Sequence, residues 1–345
     1  MILSRFKAWA ISFFDDPHSP APLGIFRLTI AGFLLLQAIV WYPDWLAFMG
    51  PEGWLQWEIS HALTEEWTPH MERVYRLLSP SGLSAERFVM LFFWCYVIAG
   101  IGLLVGWRTR VWAIISWFLH YILMGTLRTF TYGVDIFLHI ALFYMMFMPV
   151  AKAYSLDVRQ NRVSPHPTWG VTLSLRVLQI HLCFVYLSAG FEKAMSPDWW
   201  DGNVIWRSLV QPDFRQFDFA WLAHYPWMAA TLGLSTIVIE TGYCLAMWIP
   251  RVRAFWLAGI IALHLGIGLF LGLWFFGLIM ILLSVSAFGY CAWQDLRDRV
   301  CAAASLSRDK GMASLERASG EAKGAITNDK FEPKTVTIKA GSEVI

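Results

Sequence analysis

The sequence predicts an all-α fold: a polytopic transmembrane helix bundle of about eight spans with two long extracytoplasmic loops. Three observations predict it. The chain is 57% hydrophobic and 15% charged, with 20 Trp and 25 Phe, which is too apolar for a soluble domain of 345 residues. Apolar stretches long enough to cross a bilayer recur from Pro22 to Tyr290, and in hydrocarbon each must satisfy its own backbone as a helix. Lysines and arginines at the segment ends fall on one side when eight spans are counted. The alternating polarity of a transmembrane β-barrel is absent.

Residues 1–20 form the first element, with Arg5 and Lys7 set among Ile, Leu, Phe and Trp. A long apolar core and a small-residue cleavage site are missing, so an interfacial amphipathic segment is expected rather than a signal peptide, broken at Asp15, Asp16 and Pro17. Residues 21–290 form the membrane domain, with spans at 22–41, 88–106, 111–127, 133–149, 171–191, 228–249, 254–272 and 274–290. The run 254–290 is long for one helix and short for two. Gly266, Gly268 and Gly272 are expected to make its turn, and the sequence leaves open whether both members cross.

The basic groups Arg108 and Arg110, then Lys152, Arg159 and Arg162, then Arg251 and Arg253, then Arg297 and Arg299 mark the cytoplasmic side. A multi-pass cell-membrane protein with both termini cytoplasmic follows. The opposite side carries the connections 42–87 and 192–227, rich in Trp, Pro and acidic residues, which are expected to fold against the bilayer. Residues 291–345 turn to Ala, Ser, Lys, Glu and Gly and are expected to be a flexible cytoplasmic tail.

Net charge is +2 with no basic patch, so membrane lipid is an expected partner and nucleic acid is not. The five cysteines form no Cys-x-x-Cys motif and no disulfide framework. His139, His181, His264, Asp135 and Glu240 offer metal-ligand chemistry, but their spacing matches no zinc or haem signature, so no metal is expected.

Ionisable groups at membrane depth are costly unless paired or hydrated, so each is a candidate functional residue. Asp135 and His139 stand at i, i+4, where the carboxylate can orient the imidazole; an interhelical hydrogen-bond pair is the plainer reading. His120 and Arg128 lie towards the outer interface, where water reaches them. Arg176 is expected to snorkel inward, and His181 to be a satisfied packing residue. Glu240 and His264 lie at similar depths on successive spans, where they can pair with each other. Lys193 emerges at the outer edge, where poor hydration makes an amine a usable base.

Several segments together resemble a known family, the HTTM membrane domain shared by vitamin K-dependent γ-carboxylase and many bacterial proteins. They are Asp16 with Pro22–Arg27 (PLGIFR), Tyr154–Asp157 (YSLD), Tyr186–Lys193 (YLSAGFEK) with Trp199–Gly202 (WWDG), and His264 followed by Gly268–Gly272 (GLFLG). The resemblance covers about residues 15–290. The third segment is similar to the carboxylase run that ends at its catalytic lysine, which deprotonates vitamin K hydroquinone; Lys193 occupies that place. Where the carboxylase has Asn-His before its fourth helix, this chain has Tyr132-Gly133, with Asp135 and His139 beyond. The carboxylase also carries a large lumenal domain, against a short tail here, so carboxylation of protein glutamate is not expected.

The resemblance implies a carboxylase/epoxidase-like or quinone-linked oxidoreductase. Lys193, His264 and Glu240 are then catalytic candidates, with Asp135, His139, Trp199, Trp200 and Gly202 around the substrate. A quinone or hydroquinone is the implied cofactor, and a lipid-soluble small molecule the implied partner. The competing reading is a non-catalytic membrane module that binds an extracytoplasmic redox protein or carries a small solute. A third is a proton channel or pump built on Glu240, His264 and Asp135.

Overall fold

The computed structural model describes residues 11–15 and 17–305. Among the described residues every regular element is helical. Eight long helices organise the chain: α1 (Ala21–Trp41), α2 (Ala85–Val105), α3 (Thr109–Thr126), α4 (Gly133–Phe147), α5 (Trp169–Ala194), α6 (Pro226–Ala246), α7 (Arg253–Leu271) and α8 (Trp274–Ser284). A π-helical stretch, Val285–Gly289, extends α8. Of the expected segment 1–20, residues 11–15 are helical and residues 1–10 and 16 lie outside the described residues. A first compact unit ends at Trp293 and a second begins at Gln294. Within the second, residues 294–305 are helical, and the rest of the expected tail lies outside the described residues.

Six helical runs are long and apolar enough to cross a bilayer: those holding α1, α2, α5, α6, α7 and α8. The two remaining helices differ for physical reasons. At 15 residues α4 is about 22 Å long, short of a hydrocarbon core of about 30 Å. Helix α3 has 18 residues but carries Arg110, Ser116, His120 and Tyr121. The last pair, left open by the sequence, is a hairpin of two long helices. Its turn is made at Gly272 alone, at φ 71°; Gly266 and Gly268 lie inside α7.

The connections from α2 to α3, α4 to α5 and α6 to α7 lie at one end of the bundle, hereafter the turn end; the first and third are short, and the second, residues 148–168, holds two short helical turns. The long connections after α1 and α5 lie at the opposite, loop end. Helix α1 is central, packing against α2, α4, α5 and α8, and it supplies Leu23, Phe26, Ile30 and Leu34 to the core. Helix α7 is peripheral: only 22% of its apolar window is buried, against 56% for the run holding α1. Ile39, Phe184, Leu245 and Phe255 point outward from their helices, each at least 65% exposed, a surface suited to lipid and costly in water.

Two polar devices fix the ends. Arg27, wholly buried on α1, donates through Nη1 to the carbonyls of Leu103 (2.7 Å) and Leu104 and through Nη2 to Tyr154 O (2.6 Å). It thereby satisfies the last turn of α2, whose carbonyls have no intrahelical partner. Asp157 accepts from the amides of Arg108 (2.8 Å) and Thr109 (2.9 Å) and from Thr109 Oγ1 (2.8 Å), capping α3 from a distant segment. Burial works against its charge, but these hydrogen bonds and the nearby Arg162 hold its carboxyl below the ordinary value.

At the loop end, the connection after α1 is tied down by a buried chain. Glu72 N donates to His70 Nδ1 (3.1 Å), so the His70 proton sits on Nε2 and points to Ser60 Oγ (3.0 Å). The Ser60 hydroxyl in turn donates to Thr126 O (2.6 Å) at the end of α3. Burial and the neighbouring imidazole of His61 push His70 down to about 4.

Candidate functional site

Helix α5 delivers Lys193 in its last turn, and α6 passes beside it. Gly190 permits the crossing: a Cβ there would lie 2.6 Å from Thr241 Cγ2 and 3.2 Å from Glu240 Cβ. One helical turn later, Lys193 Nζ meets Glu240 Oε2 at 2.7 Å, with the lysine side chain 21% and the glutamate 8% exposed. The amine also lies 5.3 Å from the centroid of Trp199 and 3.4 Å from Ala189 O. Lys193 is thus held among a carboxylate, an indole face and a carbonyl rather than extended into water.

Below this pair is a second buried set. Tyr186 Oη contacts His264 Nε2 at 2.9 Å and Ser284 Oγ at 3.2 Å, bringing α5, α7 and α8 together. All three side chains are buried, and His264 Nδ1 has no hydrogen-bond partner among the described residues. Tyr186 and Lys193 stand two turns apart on α5, so one helix carries both sets. The expected Glu240–His264 pair is not formed. Their similar depth, counted along each helix, carries no information about azimuth, and Glu240 faces α5 while His264 faces Tyr186.

Asp135 and His139 stand elsewhere, among α1–α4. Asp135 does not orient His139: it sits in the first turn of α4, where its carboxylate folds back to accept from Tyr132 N (3.2 Å) and takes Gln37 Nε2 (3.3 Å). A carboxylate near a helix N-terminus has free amides closer than a side chain one turn on. His139 stacks on Trp117 at 5.0 Å and lies 5.7 Å from His120. His120, expected at a hydrated edge, is buried at 1% exposure; among the described residues both its ring nitrogens lack hydrogen-bond partners, as do Tyr96 Oη and Ser116 Oγ beside it.

Trp200 is exposed and its indole donates to Ala194 O at 2.8 Å, stapling the chain back onto the end of α5. A shallow cleft of about 470 Å³ lies there, lined by Ala194, Met195, Pro197, Trp200 and Asp201. Gly202, at φ 82°, lies against Ala229 and Ala230 of α6, where no side chain fits. His181 is satisfied by Tyr144 Oη at 2.9 Å, and Arg176 bonds Phe13 O and Gln179 while stacking on Phe13. Among the described residues no group of three or more His, Cys, Asp or Glu could hold a metal ion.

Tyr186 and Ser284 join the site without having been selected individually from the sequence. Uncharged hydroxyls cost little in an apolar run and so give no hydropathy signal; Tyr186 entered only as the first residue of the Tyr186–Lys193 segment. No curated protein and no solved structure matches the chain. The sequence profile of the HTTM domain matches residues 16–293, more than half of the chain and all of α1–α8. The chain therefore belongs to the HTTM domain family, as a multi-pass membrane protein.

Proposed function

We infer that this protein is a membrane-embedded acid–base enzyme acting on a lipid-soluble hydroquinone, with Lys193 as the general base. The observation that carries the reading is the Lys193–Glu240 contact of 2.7 Å, largely closed to water, on the helix whose Tyr186 holds the buried imidazole of His264. A buried ion pair is a poor source of stability, because desolvation offsets most of its Coulomb gain, so its presence asks for another reason. At this distance a proton can pass from Lys193 Nζ to Glu240 Oε2, leaving a neutral amine able to accept a proton from a hydroxyl. Glu240 would then be the proton store, and Trp199 the apolar wall over the amine.

The chemistry of the donor set is that which a quinol would call for. Its two oxygens would find a cation or amine in Lys193 and a buried hydrogen-bonding nitrogen in His264 Nδ1, and its ring an indole face in Trp199. When bound, the quinol would supply an ionisable hydroxyl, whose proton Lys193 would take, and two electrons, which dioxygen would accept as the quinol becomes quinone. The resemblance to vitamin K-dependent γ-carboxylase adds support through Lys193, which stands in place of that enzyme's base. The loop end is read as extracytoplasmic, because Arg108, Arg110, Lys152, Arg159, Arg162, Arg251 and Arg253 flank the turn end. In this reading all eight helices cross, α3 and α4 as short members shielded by neighbours.

One observation favours a second reading. Lys193 has a carboxylate, a ring face and a carbonyl as neighbours, which suits a permanently charged interhelical clamp in a non-catalytic module that binds a redox partner or carries a solute. Organic extraction of the purified protein separates the two. The enzyme reading expects a quinone absorbance spectrum near one equivalent per chain; an extract with none, from protein purified in mild detergent, contradicts it.

A further inference from the structure

A cleft of about 680 Å³ opens at the turn end, far in sequence from Lys193. Its rim carries Arg108 and Arg110 at the start of α3, and Lys152 and Arg162 in the connection between α4 and α5; its floor is apolar, with Val111, Met145 and Met148. Lys152 is occupied, donating to Ser164 O and His166 O at 3.1 Å each. The three guanidiniums are not: among the described residues, no carboxylate lies within ion-pair distance of Arg108, Arg110 or Arg162. The acid that lines the cleft, Asp157, attracts Arg162 from beyond ion-pair distance, while its carboxylate accepts from the amides of Arg108 and Thr109 and the Thr109 hydroxyl.

Asp157 also builds the cleft. Its side chain fixes Arg108, and its backbone carbonyl accepts from the amides of Arg162 (2.8 Å) and Val163 (3.2 Å), so one residue holds two arginines from separate segments. Both guanidiniums approach the ring of Trp107, at 5.6 Å and 6.0 Å from its centroid. Arg108 and Asn161, next to Arg162, take left-handed backbone conformations at φ 47° and 57°. Such residues are strained and persist where the surroundings over-determine them.

We propose that this cleft binds the phosphate headgroup of an anionic phospholipid, with Arg108, Arg110 and Arg162 as its ligands. The charge calls for an anion, and guanidiniums suit phosphate through paired N–H donors. The apolar floor continues outward along α3 through Val111, Ile114 and Phe118, each 49% exposed, a track suited to an acyl chain and useless to a free ion. Basic clefts between membrane helices are a recurring form of headgroup recognition.

The test is native mass spectrometry of the full chain supplied with equal amounts of phosphatidylglycerol and phosphatidylcholine. Wild type is expected to retain phosphatidylglycerol preferentially. Each of Arg108→Gln, Arg110→Gln and Arg162→Gln should reduce that preference by roughly fivefold. A control variant, Arg159→Gln with Arg251→Gln, should keep it within about twofold. Equal losses in the control would mean unspecific surface charge and overturn the proposal, as would displacement of the lipid by excess inorganic phosphate. Should the arginine variants fail to fold, crosslinking of wild type with a headgroup-photoactivatable phosphatidylglycerol decides: adducts within 107–111 or 145–163 support the site, and adducts elsewhere refute it.

Discussion

At the scale of single residues, the molecule turns on a lysine and a glutamate that neutralise each other inside an apolar bundle. Removing one partner strands the other, so Lys193→Met should destabilise the protein by about 3–5 kcal/mol, and Glu240→Met similarly. The double variant, which leaves no charge behind, should recover most of the loss. Thermal unfolding in detergent checks this, and a double variant as weak as the two losses combined would show that the pair is not what holds α5 to α6. The sequence made both residues visible, because a charge within an apolar run is conspicuous. It did not show that they face each other, since partners on different helices depend on crossing angle and azimuth. Hydroxyls such as Tyr186, Ser284, Tyr96 and Ser116 were less visible still, being uncharged and tolerated anywhere in a helix.

At the scale of elements, the helices follow the hydropathy of the chain closely, because lipid imposes its constraint locally: every residue at depth must close its own backbone hydrogen bonds. The connections obey no such rule, and the buried His70–Ser60–Thr126 chain had no signature in the sequence. It gives the connection after α1 a definite pH response. His70 is held near 4 in the folded loop, below its ordinary 6.5, so the unfolded loop binds the proton more tightly. The stability this group contributes is therefore complete above about 6.5 and is lost as pH falls towards 4. Protonated Nδ1 would then confront the Glu72 amide that it now accepts. Amide protection across residues 57–78, taken as the ratio of intrinsic to observed exchange rate at each pH, should fall over that window in wild type, and an unchanged protection would show that the histidine does not carry the loop.

At the scale of the whole molecule, apolar side chains face outward from the helices, and polar groups are gathered in two internal sets and at one basic end. The bundle was legible from composition and charge asymmetry alone, whereas the division of its buried polar groups into one set among α5–α8 and another among α1–α4 emerged only from the packing. The proposed function assigns the set among α5–α8 to a substrate dissolved in the bilayer. The direct measurement is oxygen-dependent consumption of a lipid-soluble hydroquinone by the protein in lipid nanodiscs, above the spontaneous rate, for wild type and Lys193→Met. Loss of the general base should lower turnover by about 10²–10⁴-fold, whereas equal turnover by the two proteins would contradict the account.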